Sequence, residues 1–486
     1  MSKSKCLLML SCFLVFSLVS CGNSSSSSLT ASAASSASSA SSTTNSSAHT
    51  GPGGGGSSTS VTYKGANVFT ADSEESGKTY TSTSADESAV LVKSGANVTL
   101  TNPTIVKSGD TSSADNSSFY GQNASLLSIA GNAYVKGGSV TSTGEGGAGL
   151  CGYNTGVVYA DGTKITTSKN AAGGVHVCGG GTVYGWDLDI KTEGEHSAAI
   201  RSDRGGGTIN LDGGTYISDG AGSPAIYSTA DITVNNATLT ANGSEAAAIE
   251  GKNSIKIFNS TLSGNLSDSS QNDNTWGVIL YQSMSGDSTV GTSEFAMVDS
   301  TLDIKNGGFF HSTNTSSEFL LHNTVLNHTG NDSYEYLIRA TGSSRWGNGT
   351  GPSMNFTASA ETMEGKIVYD TASTLDLYLK DSSTWTGSME KSTTYSGSKV
   401  TSVYVESGSK WIVDGNSTCA NLYNGGQVVD KDGNQVKVVD ASGNTLKAGT
   451  SAYTITLSGT YLASASLDGA IATPSYTAIS KPSALA

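Results

Sequence analysis

The sequence predicts an all-β solenoid, a fold in which the chain winds into stacked coils of short strands. Three observations predict this class. Among 486 residues, glycine is abundant at 60 and proline scarce at 6, and only 14% of the residues are charged. Short segments also recur along the chain: DITVNNATLTANG begins at residue 231 and SIKIFNSTLSGN at residue 254. Repeats with a period of 20 to 50 residues indicate a stack of coils, because each unit buries its apolar face against the next.

The first strand of each coil begins at an apolar residue, followed two positions later by a second apolar or small residue. This alternation is typical of a strand with one buried face. No segment keeps the 3.6-residue period of a helix past ten residues. The starting residues are Val98, Ala133, Val158, Val183, Ile209, Ile232, Ile255, Phe295 and Phe319.

A bend and a second strand follow the first strand. The fourth position after each start is always Asn, Asp or Gly, the residues that tolerate positive φ. We therefore expect a left-handed bend there, with Asn side chains able to hydrogen-bond along the stack. The bend positions are Asn102, Gly137, Gly162, Asp187, Gly213, Asn236, Asn259, Asp299 and Asn323. The seventh positions, which we expect in the core, are Ile105, Val140, Ile165, Ile190, Tyr216, Leu239, Leu262, Leu302 and Leu326.

A third strand completes each coil, as in AAIRS, PAIYS, AAIEG and VILYQ. Three short strands and an Asn/Gly bend resemble the right-handed parallel β-helix of pectate-lyase-like proteins and autotransporter passengers. The segments TYTSTSADESAVLVKSGANVTLTN and AAIEGKNSI resemble bacterial β-helix surface proteins more closely, many of them secreted or lipid-anchored. The resemblance covers roughly residues 61–400 and implies the fold; it does not imply one activity, because this fold hosts lyases, hydrolases and adhesins.

The N-terminus has the features of a targeting signal. Lys3 and Lys5 precede the apolar run CLLMLSCFLVFSLVS, which is too short for a spanning helix. The sequence LVSC, ending at Cys21, resembles a bacterial lipobox, which implies a signal peptide over residues 1–20 and lipid on Cys21. An ordinary secretion signal is the alternative.

The remaining boundaries follow from composition. Residues 21–60 are rich in Ser, Ala and Gly and cannot bury a core, so we expect a disordered tether. The β-helix is expected over residues 61–400, with final coils or a β-rich cap over 401–460. We expect residues 461–486 to be a loosely ordered tail.

The outward residues of the third strand are the candidate binding residues. Taking the residue after the inward apolar one gives a single expected row: Cys151, Cys178, Arg201, Tyr227, Glu250, Tyr281, His311 and Arg339. His176, Ala199, Ala225 and Ala248 lie two positions earlier, and we expect the alanines to form the shallow floor of a groove beside this row. Aromatic edges with Arg and Glu suit a glycan. The same row can instead be a ladder that only stabilises the sheet.

Two further features bear on this row. The segments 106–124, 263–276, 282–294 and 341–353 are longer than a coil needs, and long loops on a rigid scaffold often carry recognition. Cys151 and Cys178, if adjacent in one column, fall within the range for a disulfide. A poor lateral geometry in parallel strands argues against the bond, so both states remain open.

These observations favour a lipid-anchored, extracytoplasmic surface protein that binds glycan or matrix like an adhesin, and is a monomer. A polysaccharide lyase or glycoside hydrolase and a passive structural protein are the alternatives. Arg201, Asp203 and Arg204 form the densest charged cluster, but we assign no catalytic residue, metal or cofactor. The net charge of −14 argues against a nucleic-acid partner.

Overall fold

The computed structural model describes residues 61–267, 274–330, 334 and 336–486. Within these ranges the chain forms a parallel β-helix, which confirms the predicted fold class. The predicted signal peptide, Cys21 and the predicted tether lie in residues 1–60, outside the described residues. Among the described residues, no helix is long and apolar enough to cross a bilayer.

The first strands of successive coils pair in parallel and form the first-strand sheet. Two strands of 12 residues continue through the bend and so belong to the second strands as well. The first strands are Ser73–Ser76, Ala96–Thr101, Gly131–Lys136, Val157–Asp161, Gly181–Thr192, Gly207–Ser218, Asp231–Asn235, Ser254–Phe258, Thr292–Val298, Ser316–His322, Ser353–Ser359, Thr374–Lys380, Thr401–Val405, Asn421–Asn424 and Tyr461–Leu462.

The second strands follow the bend and pair in the same order. They comprise Thr79–Ser82, Thr104–Lys107, Ser139–Ser142, Lys164–Thr167, Thr238–Ala241, Thr261–Gly264, Thr301–Ile304 and Val325–His328, then a separate sheet of Thr362–Glu364, Thr384–Thr386, Lys410–Ile412 and Gln427–Val429.

The third strands form a sheet of 13 parallel strands, the third-strand sheet. Its members are Lys64–Phe69, Glu87–Val92, Leu126–Ser128, Leu150–Tyr153, Val175–Cys178, Ile200–Ser202, Ile226–Ser228, Ala247–Glu250, Trp276–Tyr281, Gly308–Thr313, Ile338–Ala340, Ile367–Tyr369 and Met389–Lys391.

The remaining elements are few. Ser417–Cys419, Lys437–Asp440, Thr445–Lys447 and Thr454–Leu457 form a small sheet in which one pair is antiparallel. One α-helix, Ala114–Tyr120, lies in the insertion at 106–124, and the 3-10 helices Gly347–Gly349 and Ser483–Leu485 complete the described secondary structure.

The bend positions explain why the coils superimpose. All nine predicted bend residues have positive φ, including Asn236 at 53° and Asn259 at 47°, which lie at the same corner of adjacent coils. Asn323 Nδ2 donates to Asp299 Oδ1 at 2.6 Å along this column, whereas Asn259 Nδ2 reaches Asn235 Oδ1 at 2.8 Å, one residue before the bend. The Asn contacts therefore link neighbouring coils without forming one continuous ladder.

The core is a continuous column of stacked side chains. All nine starting residues are buried, and so are the predicted second-strand core residues except Leu326, which is half-buried. Aromatic residues take over toward the later coils: the rings of Phe319 and Phe356 lie 5.7 Å apart, and those of Trp385 and Trp411 lie 4.7 Å apart. Because both indole nitrogens donate to backbone oxygens, these large side chains are buried without an unpaired polar group.

Candidate functional site

The outer face of the third-strand sheet carries the predicted binding residues, but in two columns. Strand register aligns Cys151 with His176, then Arg201 and then Tyr227. The same column continues through Ala248, Ile279, His311, Arg339, Val368 and Glu390. Cys178, Glu250 and Tyr281 lie two residues further along their strands, so the expected single row is wrong.

The physical reason is the two-residue period of a strand. Val175 and Val177 both point inward, as do Ala247 and Ile249, and a shift of two residues keeps every side chain on the same face. Aligning the coils on the second inward residue therefore predicts correctly that Cys178 and Glu250 lie on the outer face. It assigns them to the wrong column of that face. The alanine floor is also wrong: Ala199 is buried in the interior core, as is Ala225, the equivalent residue of the next coil.

The predicted residues also differ in exposure from the expectation that all face solvent. Arg201, Glu250, Tyr281 and His311 are buried, because the insertions lie over this part of the sheet. The insertions over the middle coils contribute partners to the side chains beneath them.

Arg201 lies under the helix Ala114–Tyr120. Its Nη2 donates to Asp203 Oδ2 at 3.0 Å and to Ser118 Oγ at 2.7 Å, and its Nη1 donates to the Ala171 carbonyl at 2.9 Å. Burial, together with the nearby Arg201 guanidinium, lowers the pKa of His176 to about 3, so this ring is neutral at physiological pH. Arg201 thus joins two coils to the helix that covers them.

Arg204 holds a second insertion in place. Its Nη2 lies 2.6 Å from Asp287 Oδ1, and its guanidinium carbon lies 3.9 Å from the centroid of the Phe119 ring. The Arg204 backbone N–H donates to Asp203 Oδ1 at 2.9 Å. Burial raises the pKa of Asp203, although the Arg201 charge opposes this shift. The charged cluster considered for catalysis is therefore paired within itself and with the insertions.

Glu250 is the centre of a buried hydrogen-bond network. Its Oε2 accepts from Tyr227 at 3.0 Å and from Tyr281 at 3.2 Å. Its Oε1 accepts from Ser283, and from Ser288 at 3.4 Å, both in the insertion at 282–294. Burial raises the pKa of Glu250, and these donors partly offset that effect.

The aromatic members of the row are packed against tryptophans. The ring centroids of Tyr281 and Trp346 are 4.6 Å apart, and those of His311 and Trp276 are 5.2 Å apart. Trp346 belongs to the insertion at 341–353. Both tryptophans therefore pack against residues of the predicted row. Together with Ala248, Ile279 and Tyr281 they form a small apolar cluster on the outer face of the middle coils.

Cys151 and Cys178 are both free and buried in the structure. Each lies in a cluster with Leu91, Leu127 and Ala148. Cys151 is aligned with His176, while Cys178 is aligned with Tyr153, which follows from the two-column register. The register removes the direct lateral alignment of Cys151 and Cys178 that the bonded state, one of the two left open by the sequence, depends on.

Arg339 is the exception within the row, because it lines an open cleft. The cleft has a volume of about 460 Å³ and lies at the far end of the third-strand sheet. Its lining comprises Arg339, Lys366, Val368, Glu390, Lys391, Ser392, Thr393 and Thr394. Lys366, Glu390 and Lys391 are exposed, and so are two of the lining hydroxyl residues, Thr393 and Thr394.

The charge of the cleft is opposite to that of the whole chain. Arg339, Lys366 and Lys391 supply three positive charges and Glu390 one negative charge, which leaves a net +2 in a protein of net charge −14. Lys366 Nζ lies 3.3 Å from Glu390 Oε2, and both side chains are well exposed. Among the described residues, no ion pair of Lys391 is observed.

Sequence analysis missed Lys366 and Lys391 as site residues. Both lie where the repeat becomes irregular, so no alignment placed them beside Arg339. The signal that was available is local: GKIVYD places Lys366 directly before a strand of the third-strand type, and SMEKSTT places Lys391 at the end of another.

The described residues contain no group of three or more His, Cys, Asp or Glu side chains placed to hold a metal ion. Two carboxylates considered as site residues, Asp203 of the charged cluster and Glu250 of the predicted row, are buried rather than open to a substrate. Comparison of the chain with models of protein families, with curated proteins and with solved structures finds no match.

Proposed function

We propose that this chain is a lipid-anchored, extracytoplasmic surface protein that binds an acidic glycan in the cleft at Arg339, Lys366 and Lys391. The observation that carries the proposal is the concentration of three cations around one cleft of an otherwise acidic protein, with Lys366 and Lys391 exposed and Arg339 half-buried. A localised positive potential of this kind attracts anionic ligands, whereas the acidic remainder of the surface repels them.

The cleft offers the groups that an acidic sugar requires. The Arg339 guanidinium presents paired N–H donors that match a carboxylate or sulfate, and the lysine ammonium groups act as mobile point charges. Ser392, Thr393 and Thr394 provide hydroxyls for the sugar hydroxyls, and Val368 provides apolar surface. A shallow, polar cleft on a rigid sheet suits a segment of a longer polysaccharide.

The attachment rests on the N-terminal sequence. Lipid on Cys21 and the Ser/Ala/Gly-rich tether would hold the β-helix away from the membrane surface. Replacing Cys21 by Ser should release the protein from the membrane fraction into the soluble fraction. Metabolic labelling with a fatty acid should mark the native chain and not the variant. A Cys21→Ser protein that stays membrane-bound and labelled would contradict the anchor.

The binding proposal is tested with a panel of polysaccharides. Polygalacturonate supplies carboxylates, heparin supplies sulfates and dextran is the neutral control. We expect the mature protein to bind at least one acidic member in a salt-sensitive manner, and dextran not at all. The double variant Lys366→Ala, Lys391→Ala should lose about tenfold or more in affinity.

A matched control is available in two other exposed ion pairs. Lys164 pairs with Asp189 at 2.8 Å and Lys256 with Glu294 at 3.4 Å, away from the cleft. The double variant Lys164→Ala, Lys256→Ala removes the same charge and should keep the affinity. Equal losses in both double variants would show nonspecific attraction, and binding to dextran alone would contradict the cationic cleft as the site.

A further inference from the structure

Residues 463–486, which we name the clasp, return along the outside of the first-strand sheet. We expected this segment to be loosely ordered; the structure instead shows specific contacts. Asn355 Nδ2 donates to the Gly469 carbonyl at 2.7 Å, and the Ile471 N–H donates to Thr357 Oγ1 at 2.9 Å. Further along, the rings of Tyr476 and Phe258 lie 5.6 Å apart.

The last part of the clasp is held by charge and burial. Lys481 Nζ lies 2.9 Å from Asp161 Oδ1 and 5.8 Å from the centroid of the Trp186 ring. Leu485 is buried, and Lys136 Nζ donates to the Ala486 oxygen. The partners belong to progressively earlier coils, so the clasp crosses the strands instead of adding to them.

The length of the clasp fits this path. From Ser353–Ser359 back to Gly131–Lys136 the first-strand sheet makes eight steps of about 4.8 Å, or about 38 Å. Residues 469–486 span at most about 61 Å when extended. The extended segment is therefore longer than the distance it must cross, and the compact 3-10 turn Ser483–Leu485 takes up part of the excess length.

The sheet beneath carries an outward apolar stripe. The outward positions of a solenoid sheet are usually polar, as Asp161 and Asn235 are here, yet Trp186, Phe258 and Leu320 occupy such positions and are buried. Val298 and Ala296 add to the same stripe. Apolar side chains at outward positions indicate an interaction surface, and the clasp occupies this one in the structure.

We propose that this stripe is a peptide-binding surface and that the clasp of a second copy of this chain is its partner in trans. The clasp of the same chain fills the surface in the closed monomer. Residues 463–468, the first part of the clasp, are mostly exposed, so residues 469–486 can leave as a unit and their contacts can be remade identically between two copies. Tethering copies to one membrane raises their effective concentration and favours this exchange.

The first test separates the clasp from the folded body. A protease site replaces residues 464–467 of the mature chain, and the protein is cut only after folding. A fluorescent peptide of residues 469–486 should then exchange with the cut clasp and bind saturably. A scrambled peptide should not bind. Failure of the labelled peptide to bind, or equal binding of the scrambled one, would overturn the proposal.

A charge swap sharpens this test at one contact. A Lys481→Glu peptide should bind the cut body about tenfold more weakly, and an Asp161→Lys body should restore part of that affinity. No recovery in the swapped pair would overturn the assigned register of the clasp. This outcome is independent of glycan binding, because the cleft at Arg339 lies on a different sheet.

The second test uses the intact mature protein with two tags. Native mass spectrometry of mixed copies at rising concentration should show mixed-tag dimers that are lost in a Tyr476→Ala, Lys481→Glu variant. Peptide exchange in the first test combined with a strict monomer at every concentration would overturn the part of the proposal that concerns the second copy.

Discussion

In the middle coils of the third-strand sheet, Arg201 and Glu250 are buried and bonded to loops, whereas at the far end Arg339 and Lys391 line an open cleft. Both regions belong to one sheet and use the same residue types. The difference is the loops above the sheet: the insertions at 106–124, 282–294 and 341–353 lie over Arg201, Glu250 and Tyr281. At the far end, Arg339 is bonded to Thr341, but Lys366 and Lys391 stay exposed. Charged outward residues in a solenoid therefore stabilise the fold where loops cover them, and are available to ligands where loops do not.

The largest expected effect contrasts the buried and exposed ion pairs of these regions. Arg201→Ala leaves Asp203 buried without its cation, so the free energy of unfolding should fall by about 3–5 kcal/mol. Lys366→Ala breaks the exposed pair with Glu390 and should cost no more than about 1 kcal/mol. Urea unfolding followed by circular dichroism measures both. Comparable losses would remove the distinction between the regions.

A second prediction concerns the pH dependence of stability in the middle region. Burial raises the pKa of Glu250, so its stabilising contribution is present below the ordinary value of 4.5 and is lost as the pH rises through the folded-state pKa. The stability of the native protein should therefore decline over this range by at most about 1.4 kcal/mol per pH unit from this group.

Glu250→Gln removes the ionisation and should flatten that decline in thermal unfolding measured at a series of pH values. Glu390→Gln, which removes the same charge from an exposed position, is the control. A native decline that persists unchanged in Glu250→Gln would contradict the assignment to this buried carboxyl.

The smallest expected effect tests the cover itself. Ser113 Oγ accepts from the Asn116 N–H at 3.2 Å and caps the helix over Arg201. Ser113→Ala should cost about 1 kcal/mol, and hydrogen exchange should increase in the helix and in the strand that contains Arg201. Ser113→Thr keeps the hydroxyl and should behave as the native protein. Faster hydrogen exchange at the open cleft, without a change in the helix or in the strand that contains Arg201, would contradict the assignment of this helix as the cover of Arg201.

The sequence predicted the solenoid well because its determinants are local. An Asn, Asp or Gly at each bend permits positive φ, and the alternation of apolar residues decides which side faces inward. The column of each outward residue was harder to predict, because a shift of two residues changes the neighbours of Glu250 and Tyr281 without changing their face. Contacts between distant segments determine this register, and a single sequence does not show which segments are in contact.

The covered surfaces could have been inferred in part. Trp186, Phe258 and Leu320 interrupt the polar pattern at outward positions, which indicates that something packs over them. The identity of the cover, residues 463–486, depends on a contact between segments more than 100 residues apart, as between Asn355 and Gly469. The cleft likewise depends on the meeting of Arg339 and Lys391 after the repeat has become irregular.

Hydrogen exchange of the mature protein with and without polygalacturonate fragments locates the ligand on the sheet. We predict protection in the segments 366–369 and 389–394, and no change in the segments around Arg201 and Glu250. Protection confined to the middle coils, or none anywhere at saturating polysaccharide, would contradict the account of an open cationic cleft beside a covered structural region.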